Sequence, residues 1–246
     1  MTEYVFGINA VAARMAAGAT GIHRLLLREG KRSTRLQQLE QQARDMGLPM
    51  ERMAPAKFDA LTDVSHQGVA LVVDPPSVRN EDALDDLLVA PDHDLLFLVL
   101  DGVTDTRNLG SCLRSAASMG VDAVIVPKDN SASLSPAAIK TASGGASIVP
   151  LVEVTNLARS LERLQKANVW VVGTLLETEK TLAETPLTGH VAIVMGSEER
   201  GLRQKTVRCC DFLARIPMTN DSLGFNVAVA TGICLYEARR QRGETG

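Results

Sequence analysis

From residue 94 onward the chain alternates short, nearly unbroken runs of Val, Ile and Leu with longer segments of helical character. This rhythm restricts the fold more than any other feature of the sequence. The apolar runs cover residues 95–100, 123–126, 169–172 and 191–195, and the helix-like segments include 109–119 and 157–166. A strand that is apolar throughout must be covered on both faces, and strands alternating with helices meet that need as a mostly parallel sheet wrapped by helices. The expected fold is therefore α/β. Each run is far shorter than the roughly 20 residues needed to span a bilayer. The start, Met1-Thr2-Glu3-Tyr4-Val5, has no basic segment leading into a long apolar one, so no signal peptide is expected. A cytoplasmic protein without a membrane partner is the expectation.

Residues 1–74 read as a smaller α/β unit of their own. Helix-forming residues occupy 9–17, residues 24–28 alternate into a strand, and 33–46 carries Leu36, Leu39 and Ala43 at helical spacing. Ser33 is placed to cap that helix and Gly47 to stop it. A last strand over 68–73 ends in Asp74-Pro75-Pro76, and the acidic run Glu81, Asp82, Asp85 and Asp86 follows. Two prolines hold the backbone extended, so 75–93 is expected to be a linker between a domain over 1–74 and another over 94–246.

Charge and cysteine content exclude some classes. With 26 Lys and Arg against 29 Asp and Glu the net charge is −3, which does not by itself suggest nucleic acid. The local distribution differs: Arg24, Arg28, Lys31, Arg32 and Arg35 fall within one short stretch. That stretch is either a solvated strand edge and helix start or a phosphate-contacting patch. Aromatic residues make up only 3%, too few for base stacking to dominate recognition. The four cysteines, Cys112, Cys209, Cys210 and Cys234, have no CxxC spacing and no histidine at a zinc-site interval. No metal is expected.

Several strands end in glycine-bearing turns: Leu100-Asp101-Gly102, Val172-Gly173-Thr174 and Met195-Gly196-Ser197. In open α/β sheets ligands bind beyond the carboxyl ends of the strands, and glycine there lets backbone approach a ligand. Neither GxGxxG nor GxxxxGK[ST] is present, so a dinucleotide fingerprint and a P-loop both lack support. Three longer segments are more specific. One runs from Leu100 through Asn108 and Gly110 to Arg114, with Asn108 where it would cap a helix. A second is Val194-Met195-Gly196-Ser197-Glu198-Glu199-Arg200-Gly201-Leu202. A third joins Arg215-Ile216-Pro217-Met218 to an apolar helix starting at Asn226-Val227-Ala228. Taken singly, each is compatible with ordinary caps, surface charges and core packing.

In this order the three segments resemble the signature blocks of the SpoU/TrmH family of RNA ribose 2′-O-methyltransferases. Agreement extends over nearly the whole chain, including Tyr4-Val5-Phe6-Gly7-Ile8-Asn9, His66-Gln67-Gly68, Val124-Ile125-Val126-Pro127 and Ala230-Thr231-Gly232-Ile233-Cys234. The resemblance implies a small N-terminal RNA-binding domain similar to certain ribosomal proteins. It also implies a C-terminal α/β domain of the SPOUT type whose last segment threads a deep trefoil knot, an exception to ordinary topology. It implies S-adenosylmethionine as cofactor, a homodimer with the active site near the subunit interface, and a guanosine ribose of 23S ribosomal RNA as substrate. Carried onto this chain, it places Gly196, Ile216, Met218 and Phe225 around the cofactor, with Thr174 and Leu175 beside them.

The same resemblance assigns Arg114 to the ribose hydroxyl. An arginine stays protonated, so its expected role is to stabilise a developing alkoxide. Asn108 is then expected to organise the loop or the RNA backbone, Glu198 to orient Arg114 or a substrate group, and Asn226 to fix the cofactor-side loop. Two positions depart from the family pattern. Gly224 stands where a serine is usual, with Ser222 two residues earlier, and Ser147 stands where relatives carry glutamate. Two other readings therefore remain beside the first: the same reaction on transfer RNA or another ribosomal site, and an RNA-binding assembly factor with weakened turnover. Retention of Asn108, Arg114, Glu198 and Asn226 together favours the enzyme.

Overall fold

The computed structural model describes residues 3–62, 66–220 and 224–243, in two compact units. The first comprises Met1–Pro76 with Ser143–Ile148. Its elements are β1 (Glu3–Phe6), α1 (Ile8–Ala16), β2 (Ile22–Arg28), α2 (Thr34–Asp45), β3 (Met50–Met53), α3 (Pro55–Asp59) and β4 (Val69–Val73). They form a four-stranded sheet in the order β1-β4-β2-β3. Leu25 and Leu27 of β2 point to one face, where they meet Val11, Met15, Leu36 and Leu39 of α1 and α2, whereas Leu26 points to the other and meets Phe58. The period of two along the strand dictates this division. Helix α2 begins where the Ser33 hydroxyl accepts a hydrogen bond from the Leu36 N–H at 3.2 Å. It is followed by Gly47 at φ 66°, a conformation glycine adopts without a Cβ penalty.

The second unit comprises Ser77–Ala142 and Val149–Gly246. Its elements are β5 (Val78–Arg79), α4 (Asp82–Leu88), β6 (Leu96–Asp101), α5 (Thr106–Ser118), β7 (Ala123–Pro127), α6 (Pro136–Ala142), β8 (Leu151–Val154), α7 (Leu157–Lys166), β9 (Trp170–Thr174), β10 (Val191–Gly196), α8 (Gln204–Arg208), β11 (Phe212–Ala214) and α9 (Val227–Gln241). Its seven-stranded sheet has the order β11-β9-β10-β6-β7-β8-β5, and every pairing is parallel. Phe97, Val99, Val171 and Val194 join Leu161 and Leu164 of α7 in one buried cluster. Leu96, Leu98 and Leu100, one residue out of phase, are buried on the opposite face.

Residues 75–93, expected as a linker, are not one. β5 pairs with β8 at the sheet edge, and Leu84 of α4 is fully buried in the core cluster. Asp82, Asp85 and Asp86 lie on the exposed side of a helix whose apolar face is Leu84, Leu87 and Leu88, and Glu81, half-buried just before it, accepts the Thr155 N–H.

The strand order fixes where a ligand site can be. From β6 the chain proceeds outward to β7 and β8, then crosses to β9 on the other side of β6, and β10 enters between them. The loops leaving β6 and β10 therefore diverge, and in such sheets the crevice opens at that switch point.

Candidate active site

Register places the ends of four strands along one border of the sheet. Gly196 of β10 pairs with Asp101 of β6, Val194 with Gly173 of β9, and Ala214 of β11 with Thr174. Beyond the β6 and β10 ends lies a cleft of about 650 Å³ lined by Asp101–Asp105, Asn108, Asn130, Ser197–Gly201, Arg203 and Val227.

Helix α5 starts at the floor of this cleft. Asp105 is its cap: Oδ1 accepts hydrogen bonds from the Arg107 N–H at 2.7 Å and the Asn108 N–H at 2.9 Å. The expectation that Asn108 caps the helix is thus corrected. Asp105, three residues earlier, has the same capping chemistry, and its use releases the Asn108 side chain. That side chain donates from Nδ2 to Glu198 Oε1 at 3.2 Å. Asn226 donates from Nδ2 to the same Glu198 oxygen at 2.5 Å and to Asn108 Oδ1 at 3.0 Å. The Val227 N–H is a further donor to Glu198 Oε1, at 3.2 Å. Asn226 also caps α9, its Oδ1 accepting from the Ala228 N–H at 2.9 Å. One carboxylate oxygen thus ties together the starts of α5 and α9.

Arg114 is not part of this cluster. It lies exposed on α5, it does not line the cleft, and no hydrogen bond or ion pair joins its side chain to Glu198. The expectation that Glu198 orients Arg114 is therefore not met within one chain. Six residues along a helix amount to about 600° of rotation, so Asn108 and Arg114 face different ways.

Of the expected cofactor residues, Thr174 ends β9, Leu175 follows it and Gly196 ends β10, and none of the six lines the cleft described above. The Thr174 hydroxyl donates to the Val194 carbonyl at 3.0 Å, and the Leu175 N–H donates to the Ala214 carbonyl at 3.0 Å. Ile216 and Met218 follow β11 and are half-buried, while Phe225 is 43% exposed. At Gly196 a Cβ would stand 2.2 Å from the Gly201 carbonyl carbon and 2.4 Å from the Leu202 nitrogen. Only glycine permits that approach of two backbone segments.

Gly224 has φ 61° and open space around its Cβ position. The usual serine would be opposed here by backbone conformation rather than by crowding. Ser222 lies outside the described residues. Ser147 closes a 3-10 turn over Gly145–Ser147, within the first unit, and does not line the cleft.

Of the basic stretch in the first unit, two members are already paired. Arg24 binds Glu51 at 3.0 Å, and Arg28 makes a two-pronged bond to Asp59 at 2.7 and 3.0 Å. That bond holds the Asp59 carboxyl below the usual carboxylate range. Lys31, Arg32 and Arg35 are exposed, and none forms an ion pair among the described residues. Sequence reasoning missed Asp101 and Arg203, both of which line the cleft. The available signal was a carboxylate closing an otherwise apolar strand.

Among the described residues no cluster of His, Cys, Asp and Glu is arranged to hold a metal, and no helix is long and apolar enough to cross a membrane. Burial pushes the Cys112 thiol up to about 11 and those of Cys210 and Cys234 up to about 12, so these thiols stay protonated and weakly nucleophilic.

A family model described as the SpoU rRNA methylase family matches residues 95–236, and one described as RNA 2′-O ribose methyltransferase substrate binding matches residues 4–79. The chain belongs to the SpoU rRNA methylase family. It is 45% identical over 240 residues to the 23S rRNA (guanosine-2′-O-)-methyltransferase RlmB of Pseudomonas aeruginosa, an alignment covering 98% of this chain and 97% of that one. It is 44% identical over 243 residues to RlmB of Escherichia coli K12, covering 98% and 100%. Among solved structures, the SpoU methyltransferase AviRb from Streptomyces viridochromogenes, in complex with the cofactor AdoMet, superposes with a TM-score of 0.69 at 25% identity, covering 98% of this chain and 90% of that one.

Proposed function

We propose that this protein transfers the methyl group of S-adenosylmethionine to the 2′-hydroxyl of a guanosine ribose in 23S ribosomal RNA. The relatives named above, matched along their whole length, support that substrate. The observation that carries the reading is the convergence of Asn108, Glu198 and Asn226 on one hydrogen-bonded centre beside the Gly196 turn. Those residues come from three distant parts of the chain.

When bound, the cofactor supplies an activated methyl group, so the protein has to align the hydroxyl and ease removal of its proton. Gly196, Thr174, Leu175, Ile216, Met218 and Phe225 are the residues we assign to holding the adenosyl group. Glu198, fixed by its donors, orients the asparagine amides toward the ribose and its phosphate. Arg114 stabilises negative charge as it develops on the 2′-oxygen. Because Arg114 lies outside the cluster of its own chain, we assign the active form to a homodimer in which each copy lends this arginine to the other. Exposed Val229 and Tyr236 on α9 are suited to such an interface. The first unit, with Lys31, Arg32 and Arg35 exposed, selects the RNA, with Arg24 and Arg28 held alongside. A trefoil knot is the reading we favour for the segment that runs from β11 at the sheet edge back to α9. The substrate puts the protein in the cytoplasm.

Mapping 2′-O-methyl groups in ribosomal and transfer RNA from cells with and without this protein tests the proposal. Loss of one guanosine mark in 23S RNA is expected. An unchanged 23S RNA overturns the substrate, and a lost transfer RNA mark redirects it. A second reading, an RNA-binding factor with little turnover, is favoured by Gly224 alone. Steady consumption of S-adenosylmethionine by the pure protein on 23S RNA would remove it.

A further inference from the structure

Two arginines line the cleft at the switch point, Arg200 and Arg203, and of these Arg203 is the one held by a buried carboxylate. Asp101, the last residue of β6, has a side chain with no solvent exposure, and it addresses Arg203 twice. Its Oδ2 accepts the Arg203 backbone N–H at 2.9 Å, and its Oδ1 lies 3.4 Å from Arg203 Nε without accepting a hydrogen bond. The guanidinium is therefore steered by charge on its Nε side. Its two Nη groups have no acceptor among the described residues, and the side chain is 46% exposed. The backbone beneath it is braced: Ser197 and Gly201 exchange hydrogen bonds at 3.1 and 2.8 Å, closing the turn two residues before Arg203. Gly102, at φ 82°, borders the guanidinium, its Cβ position lying in ordinary contact at 3.5 Å from Nη2.

A buried carboxylate that orients a half-exposed arginine, and leaves its outer edge open toward a cleft, is a device for receiving an anion. The other carboxylates do not compete equally for it. Asp105 is engaged by two N–H groups at the start of α5, and Glu198 by two asparagine amides and an N–H. Only Glu199 faces the cleft without such engagement.

We propose that Arg203, positioned by Asp101, grips a backbone phosphate of the RNA next to the ribose being methylated. This rests on the reading of the cleft as the RNA 2′-O-methylation site and adds a specific anchor to it. Arg203 is a phosphate-contacting residue, and Asp101 is a positioning residue that acts through it. The contact sets where along the RNA strand the chain stops relative to the Glu198 centre.

The test uses the full-length protein with in-vitro transcribed 23S RNA, measuring RNA affinity across a salt series, the KM and kcat of methyl transfer, S-adenosylmethionine affinity by calorimetry, and Tm. Arg203→Ala is expected to raise KM for RNA about ten-fold. It is also expected to flatten the dependence of log affinity on log salt by about one phosphate's worth, a slope change of roughly 0.7 to 0.9. Cofactor affinity stays at the wild-type value, while Tm falls modestly because the buried Asp101 carboxylate loses its cation. Arg203→Lys keeps the charge and hence the slope, while losing the two-pronged geometry and part of the affinity. Asp101→Asn keeps the slope and lowers kcat/KM, because the guanidinium is present but unsteered.

Unchanged KM and slope in Arg203→Ala overturn the proposal. So does a variant that loses Tm, cofactor affinity and RNA affinity together with the slope intact, since that pattern belongs to a structural ion pair. If wild-type protein binds RNA but transfers no methyl group, the functional reading fails on its own. The salt slopes of wild type and Arg203→Ala still decide whether the phosphate grip exists.

Discussion

Replacing Arg114 by alanine removes a charge that no hydrogen bond or ion pair holds among the described residues. An exposed helix position of this kind contributes within about 0.5 kcal/mol to stability. Methyl transfer, by contrast, is expected to fall at least about 100-fold if the guanidinium meets the developing alkoxide. Assays of Tm and methyl incorporation on the same preparation separate the two, and undiminished transfer would remove the assigned role. Gly196→Ala behaves in the opposite way. A Cβ 2.2 Å from the Gly201 carbonyl carbon meets backbone rather than a yielding side chain. The variant should lose about 3 kcal/mol, in the upper range for overpacking, and lose measurable cofactor affinity in calorimetry. Gly196 was legible as a turn glycine from its place after an apolar run. That it closes on Gly201 was not, because the contact depends on the path of the loop.

At the scale of elements, α9 begins at a residue with two duties. Asn226→Ala removes a helix cap, a loss of about 1 kcal/mol, and also removes a donor to Glu198. Denaturant unfolding should show a lower midpoint with an unchanged m-value, accompanied by a drop in kcat larger than stability explains. An intact kcat would confine Asn226 to capping. The principal strands of the parallel sheet were readable, since runs such as 95–100 and 191–195 are too apolar to be anything but doubly covered. The short ones were not: β5 has two residues and β11 three, below any period. Helix α4 had its signal in Leu84, Leu87 and Leu88, but the Pro75-Pro76 pair and the acidic run beside it read as a solvated connection. The hydrogen bonds of Glu198 reach partners 28, 29 and 90 residues away. Spacing alone therefore gave no account of them, and only the family resemblance brought the three residues to attention.

For the molecule as a whole, one pH-sensitive tie lies at the opposite border of the large sheet from the cleft. His93 bonds Asp92 through Nδ1 and Asp122 through Nε2, each at 2.7 Å, and Asp122 also accepts the N–H of Leu96 at the start of β6. Hydrogen bonds to Asp92 and then Asp122 raise the His93 pKa above its ordinary 6.5. A raised folded-state value means that the protonated pair stabilises fully below about pH 6.5 and loses that contribution as pH climbs through the higher folded value. His93→Gln should abolish this slope in urea midpoints measured from pH 6 upward, and an identical slope in wild type and variant would exclude the tie. The charged centre at the other border has a different consequence. Its members come from segments near 108, 198 and 226, so a nascent chain leaving the ribosome exposes the first of them 90 residues before the second, and the second 28 before the third. Until Asn226 emerges, Glu198 lacks one of its amide donors and α9 lacks its cap. The centre therefore cannot assemble until residue 226 has emerged, so a growing polypeptide that has exposed only Asn108 and Glu198 does not yet hold the constellation.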